Sequence, residues 1–370
     1  MQKIIAFLKN ETVLAVALLA AVISMGIVPP DAAYASYIDF DVLMLLFSLM
    51  AVVAGLKRCG VMDRVCNMLV SCAGHARMLC AALSLACFFS AMLVTNDVAL
   101  ITFVPLTCTL LAALPRELIL AVTIETVAAN LGSMATPIGN PQNLYLYSRF
   151  DMPIGTFLGA VGPLTLVSLA LVLLSCLLVK KTPLSTAAQD AQEKKAPLPA
   201  AALIIHGAQF ALCILSVLGV MPKWVSFLAV LVSTLIYRPA LVREVDYALL
   251  ATFVCFFVFV GNLGRIDAVS SLLSSVIAGR ELETGILASQ VISNVPAALM
   301  LSGFTGEAFE LLRGVNLGGL GTLVASLASL ISFKLYAKAP GAKTGKYLAV
   351  FTAVNVAFLA VLYVWAKTGL

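Results

Sequence analysis

A chain of 370 residues that is 62% hydrophobic and only 11% charged reads as an all-α polytopic membrane protein rather than a soluble domain. The formal net charge of +5 is modest and sits in loops, which leaves no basic face of the kind a nucleic-acid partner requires. Cysteines lie scattered through apolar runs without a C-x-x-C pair and read as reduced packing residues, and with His75 and His206 the only histidines, zinc chemistry lacks material.

In chain order, Lys3 and Lys9 precede an apolar run over 13–28, followed by Ala33-Tyr34-Ala35-Ser36. The pattern mimics a secretory signal peptide, but the internal repeat described below needs this helix, so residues 1–28 are expected to remain attached. A span over 38–56 ends on Lys57 and Arg58, and the mixed stretch 60–76 suits a helix lying at the membrane interface. Two apolar stretches, 79–94 and 98–114, are joined only by Thr95-Asn96-Asp97. So short a polar link predicts a re-entrant hairpin with its tip at mid-membrane, in preference to two full spans. Next come an interrupted span over 118–147, a span over 156–179, and a charged segment over 180–199 that reads as a flexible cytoplasmic linker. The second half predicts spans at 200–219, 222–237 and 247–261 and an interfacial stretch over 267–279. A second hairpin over 285–304 turns at Ser293-Asn294-Val295. A glycine-interrupted span over 311–333 and a last span over 347–365 complete it.

The interrupted span carries Asn130-Leu131-Gly132-Ser133-Met134-Ala135-Thr136-Pro137-Ile138-Gly139-Asn140-Pro141-Gln142-Asn143. Gly132, Pro137, Gly139 and Pro141 are expected to break the helix and free backbone N–H and C=O groups. Lipid cannot satisfy these, so the break must be buried in protein or line a polar cavity. Asn140 followed by Pro141 reads as an N-cap with proline at the first helical position, restarting a half-helix. Its free N–H groups favour an anion, whereas the last carbonyls before the break, near residues 127–130, favour a cation.

The halves are related. Residues 130–136 align with Asn316-Leu317-Gly318-Gly319-Leu320-Gly321-Thr322, matching at Asn, Leu, Gly and Thr, and Asn140 falls on Ser326. Upstream, Asn96 pairs with Asn294 and Asp63 with Asp267. One extra helix separates the copies, so they have opposite orientation, which is the inverted repeat of secondary transporters. The expected domains are a first repeat over 1–180, a linker and connecting helix over 181–221, and a second repeat over 222–370. With the N-terminus inside, the cytoplasmic side collects Lys3, Lys9, Lys57, Arg58, Arg64, Arg77, Arg116, Lys180, Lys181, Lys194, Lys195, Arg238, Arg243, Lys334, Lys338, Lys343 and Lys346. The outside keeps Arg149, Lys223, Arg265, Arg280, Arg313 and Lys367, which satisfies the positive-inside rule and places the C-terminus outside.

The runs Thr95-Asn96-Asp97, Thr136-Pro137-Ile138-Gly139-Asn140-Pro141-Gln142-Asn143 and Ser293-Asn294-Val295-Pro296 resemble the ion-transporter superfamily. That group holds divalent-anion/sodium symporters, citrate-transporter-like permeases, arsenite permeases and sodium/proton antiporters. The chain looks closest to a bacterial anion-permease branch. The resemblance implies a bacterial inner membrane, an elevator-like movement of a transport domain, and a homodimer. Dicarboxylate symporters carry Ser-Asn-Thr at each hairpin tip, where it helps bind sodium and substrate carboxylate; here Asp97 and Val295 replace the threonines.

The expected function is secondary active transport of a small inorganic or organic anion, coupled to a sodium or proton gradient. The alternative is a sodium/proton antiporter or an arsenite/antimonite extrusion permease. Intramembrane enzyme chemistry has no motif here. The expected substrate ligands are Thr95, Asn96, Thr136, Pro137, Gly139, Asn140, Asn143, Ser293, Asn294 and Thr322. Coupling-ion ligands are Asp97, Asn130, Gly132, Asn294, Asn316 and Gly318, with Asp97 expected to face the carbonyls near Asn130. Asp97 or Glu125 would carry a proton, although Glu125 equally suits a bond to a neighbouring helix. His206 and Gln209 read as interhelical glue. No cofactor is expected, and no metal beyond a coupling sodium ion.

Overall fold

Apolar runs of this length can bury their backbone polar groups in lipid only as helices, and the computed structural model is built accordingly. It describes residues 11–184 and 200–369, without the side chains of Asp63, Asn67 and Cys72. Most of the expected cytoplasmic linker, and the basic residues Lys3, Lys9, Lys194 and Lys195, lie outside the described residues. Among the described residues there is no β-strand, only an isolated bridge between His75 and Pro183.

The first half runs α1 (Thr12–Ile27), the short α2 (Tyr34–Tyr37), α3 (Phe40–Arg58), α4 (Val61–Cys72), α5 (Ala76–Val94), α6 (Asn96–Leu110), α7 (Pro115–Ser133), α8 (Pro141–Arg149) and α9 (Ile154–Ser175). After α10 (Ala200–Val217) come α11 (Lys223–Tyr237), α12 (Tyr247–Gly264), α13 (Asp267–Ile277), α14 (Glu281–Ile292) and α15 (Asn294–Leu301). The chain closes with α16 (Ala308–Leu317), α17 (Leu327–Ala337) and α18 (Thr344–Thr368). Among the described residues, six helices are long and apolar enough to cross a membrane: α3, α5, α9 with its 3-10 extension, α10, α12 and α18. The expected spans α1 and α11 are apolar but only 16 and 15 residues long. Leu166 on α9, Ile204 on α10 and Ile236 on the shorter α11 are 70–80% exposed, as bilayer-facing residues must be.

Local chemistry fixes the helix starts. The Asp39 carboxylate accepts the Val42 N–H at 3.0 Å to open α3, and the Asp246 carboxylate accepts the Leu249 N–H at 2.9 Å to open α12. His206 and Gln209 bind α10 to its neighbours. The Gln209 Nε2 donates to Ser233 Oγ and Thr234 Oγ1 on α11 at 2.7 and 3.2 Å, while the His206 ring fills the space above Gly55 on α3.

Two pairs of helices meet in abrupt turns at the expected tips. Thr95 between α5 and α6 has φ 78° and ψ 152°, and Ser293 between α14 and α15 has φ 74° and ψ 155°. This is backbone territory that essentially only glycine occupies, at a cost of about 1–3 kcal/mol per residue. Both tips therefore hold strain. Thr95→Gly is expected to raise the thermal midpoint of the purified protein, whereas Thr95→Ala, which keeps a Cβ, is not; equal midpoints for the two variants would remove the strain argument.

The first arm of each hairpin packs on a broken helix, α5 on α7 and α14 on α16. Gly132 does not end its helix, as the sequence suggested: α7 continues to Ser133. Gly132 instead allows close approach, because a Cβ there would collide with the Phe88 carbonyl of α5. Gly285 and Gly314 serve α14 and α16 alike, an added Cβ on Gly285 standing 3.0 Å from the Gly314 backbone. The second arms cross over, α6 packing on α17 and α15 on α8. Flanking this group, α1 lies against α12, and α3 against α10 and α11.

Candidate functional site

Each broken helix ends on an asparagine-bearing turn, and the two turns are held together by amides. Asn130 Oδ1 accepts from Asn96 Nδ2 at 3.1 Å and from Ser326 Oγ at 3.0 Å, while Asn130 Nδ2 donates to Ser329 Oγ at 3.2 Å. Asn316 Oδ1 accepts from Asn140 Nδ2 at 3.2 Å, and Asn316 Nδ2 donates to Asn143 Oδ1 at 2.6 Å and to the Leu312 carbonyl at 2.8 Å. Thus the asparagine of each break is held by the cap position and the following turn of the half-helix restarted in the other half. All of these side chains are buried. Asn140 is the expected cap: its Oδ1 accepts the Asn143 N–H at 2.8 Å, opening α8 with Pro141 at the first position.

The freed carbonyls are answered the same way. Asn143 Nδ2 donates to Met134 O at 3.2 Å and Thr136 O at 3.1 Å. In the second break Gln290 Nε2 donates to the Gly318 and Leu320 carbonyls, both at 2.9 Å, and its Oε1 accepts the Thr322 N–H at 2.8 Å. Thr136 Oγ1 donates to the Met92 carbonyl at 2.5 Å and Thr322 Oγ1 to the Gln290 carbonyl at 3.2 Å, tying each break to the first arm of its hairpin. Asn294 is buried with its amide against Gly319, and Ser293 Oγ reaches the Ala325 carbonyl at 3.5 Å. Pro137 and Gly139 shape the first break, Gly139 lying so close to the Ser133 backbone that a Cβ would collide with its carbonyl. Sequence reading missed Gln290 and Ser329. Glutamine inside an apolar helix three residues before a tip was the available signal for the first.

Two adjoining cavities open beside this network. One, of about 300 Å³, is lined by Thr95, Asp97, Asn140 and Pro141 together with Lys57, Glu244 and Asp246. The other, of about 270 Å³, shares Asp97, Asp246, Leu249 and Ile331 with it and extends to Val295, Pro296, Leu327 and Lys334. The N-terminal turns of α6, α8, α15 and α17 therefore all reach these cavities. Glu244 is paired with Arg58, and Lys57 and Lys334 bring further positive charge to the walls.

Asp97 departs from its expected position. Its backbone N–H donates to Asn96 Oδ1 at 3.0 Å, but its carboxylate lines the cavities beside Asp246, and among the described residues its shielded Oδ1 has no hydrogen-bond partner. Of the other expected ligands, Thr95 and Asn140 line the first cavity, whereas Asn96, Asn130, Gly132, Thr136, Pro137, Gly139, Asn143, Ser293, Asn294, Asn316, Gly318 and Thr322 line neither. Glu125 is fully buried in α7, and its Oε1 accepts from Thr107 Oγ1 of α6 at 2.5 Å. It is not among the residues lining the two cavities. Glu125→Gln, which keeps an acceptor for Thr107, is expected to leave the ion dependence of transport unchanged; a lost dependence would move the coupling role to Glu125.

The sequence pattern of the family described as Citrate transporter matches residues 3–309. An uncharacterised transporter of Methanocaldococcus jannaschii is 30% identical over 337 residues, 89% of this chain and 90% of the relative. An inner membrane protein of Escherichia coli is 29% identical over 304 residues, 80% of each. A silicon efflux transporter of Oryza sativa is 32% identical over 166 residues, 44% of this chain and 33% of the relative.

Proposed function

The chain belongs to the citrate transporter family of membrane proteins, and we propose that it is a secondary active transporter that moves a small anion, coupled to a sodium or proton gradient. One observation carries the reading: the N-terminal turns of four half-helices, α6, α8, α15 and α17, converge on one pair of adjoining cavities. Such turns carry the positive end of the helix dipole, the arrangement that holds substrate anions in transporters with discontinuous helices. Thr95, Asn140 and the tip asparagines serve the substrate. Asp97, in the wall of both cavities, carries the coupling charge.

The repeats over 1–180 and 222–370 are proposed to be inverted copies joined by 181–221. The recurring hydrogen-bond scheme about Asn130 and Asn316, and the matching turns at Thr95 and Ser293, support that relation. An elevator movement would carry the hairpins and broken helices past α1, α3, α10, α11 and α12. The proposed setting is a bacterial inner membrane, as a homodimer with the N-terminus cytoplasmic. A second reading, extrusion of a metalloid such as arsenite or antimonite, is favoured by the partial likeness to the rice silicon efflux transporter.

A thermal-stability screen of the purified protein separates these. Citrate and other small anions are expected to raise the midpoint saturably, by an amount equivalent to about 2.7 kcal/mol at a concentration a hundred times Kd. Stabilisation by arsenite alone, with no carboxylate or inorganic anion acting, would favour the second reading over the first.

A further inference from the structure

We infer that the side-chain amide of Gln290 stands in for a cation at the second helix break, so that this break closes without binding one. The inference rests on the reading of the two breaks as parts of one transport site. Carbonyls released by a break in a low-dielectric setting need a cation, water or hydrogen-bond donors from the protein. Here the donors come from a neutral side chain. Gln290 Nε2 lies 2.9 Å from Gly318 O, 2.9 Å from Leu320 O and 3.2 Å from Ile286 O of its own helix. A primary amide has two hydrogens for these three acceptors. Its orientation is fixed by the other end, since Oε1 accepts the Thr322 N–H at 2.8 Å.

The backbone is shaped around this amide. Gly321 has φ 106°, and a Cβ there would collide with Gln290 Oε1. Only glycine accommodates both the conformation and the approach. The first break solves the same problem from the opposite side, with Asn143 on the restarted helix donating to Met134 O and Thr136 O. Ser329 holds the place after Asn316 that Asn143 holds after Asn130, and serine carries no amide with which to serve these carbonyls. Gln290 supplies the missing donors from the hairpin arm, where the first half has Met92. The two breaks thus reach one electrostatic result through different residues, which makes Gln290 a positioning residue that decides what the second break binds.

The test compares wild type, Gln290→Ala and Gln290→Glu in detergent, reading the thermal midpoint in sodium chloride against equimolar potassium chloride. Gln290→Ala removes the donors and is expected to lower the midpoint by several degrees in potassium. Gln290→Glu turns the donor into a carboxylate facing two carbonyls, a set of oxygens suited to a hard cation. It is expected to gain a saturable, sodium-specific rise in midpoint larger than any in wild type. Gln290→Ala with a wild-type midpoint, or Gln290→Glu with a wild-type sodium response, would overturn the inference. If Gln290→Glu folds in neither salt, Gln290→Ala decides: a sodium response exceeding that of wild type supports the inference, and one equal to it overturns it. These readings need no substrate, so a failure of the transport proposal would leave them intact.

Discussion

Asn316→Ala is expected to suppress transport severely and to destabilise the protein, among the largest combined effects in the network. The Asn316 amide is the meeting point of the halves, accepting from Asn140 and donating to Asn143 and to the Leu312 carbonyl. Truncation strands the Asn143 carbonyl oxygen and withdraws one of the two acceptors of Asn140 Nδ2, the other being Ser133 Oγ. An unsatisfied buried polar group costs about 1–3 kcal/mol, so a loss of roughly 2–4 kcal/mol is expected in denaturant or thermal unfolding. At about 1.4 kcal/mol per tenfold, the same loss falling on the transport barrier would slow transport by about 30- to 700-fold. Asn130→Ala should behave alike, since Asn130 has the equivalent partners Ser326 and Ser329 as well as Asn96. Asn96→Ala removes a single bond from this group and is expected to lose transport with a smaller stability change. Wild-type uptake by Asn316→Ala would show that the network is packing alone.

Asp97→Asn is expected to separate movement from accumulation. The carboxylate faces Asp246 across a wall that also carries Lys57, Lys334 and the Glu244–Arg58 pair. At mid-membrane, where the hairpin tip is proposed to lie, a carboxylate costs about 2.5–3.5 kcal/mol on insertion scales. Among the described residues the shielded Oδ1 of Asp97 has no hydrogen-bond partner to offset such a cost, which fits a group that alternates between loaded and unloaded forms during transport. Asparagine keeps the size and the polar tip but not the charge. The variant should therefore exchange substrate across the membrane yet fail to concentrate it. Concentrative uptake by Asp97→Asn with unchanged ion dependence would reduce Asp97 to a helix-terminal charge.

The breaks and tips were legible because glycine, proline and asparagine seldom cluster within an apolar run unless the helix is interrupted there. Asn140 followed by Pro141 read directly as a cap. What the sequence could not reveal was the partner of each amide, because those bonds join residues far apart in the chain. Asp97 illustrates the local limit. Successive helical residues point about 100° apart, so once Asn96 turns toward Asn130, its neighbour must face elsewhere, and it faces the cavities. Gln290 was hidden for another reason: a single glutamine in an apolar helix reads as generic interhelical glue, and its task depends on serine standing at 329. The strained backbone at Thr95 and Ser293 was equally silent, since neither residue type announces a positive φ.

The most direct measurement is uptake of labelled citrate and a panel of other small anions into proteoliposomes under imposed sodium or proton gradients. At least one anion is expected to accumulate above its external concentration while a gradient lasts, and an ionophore dissipating that gradient is expected to release it. If every anion entered no faster than into protein-free liposomes, or merely equilibrated under every gradient, coupled anion transport by this chain would be contradicted.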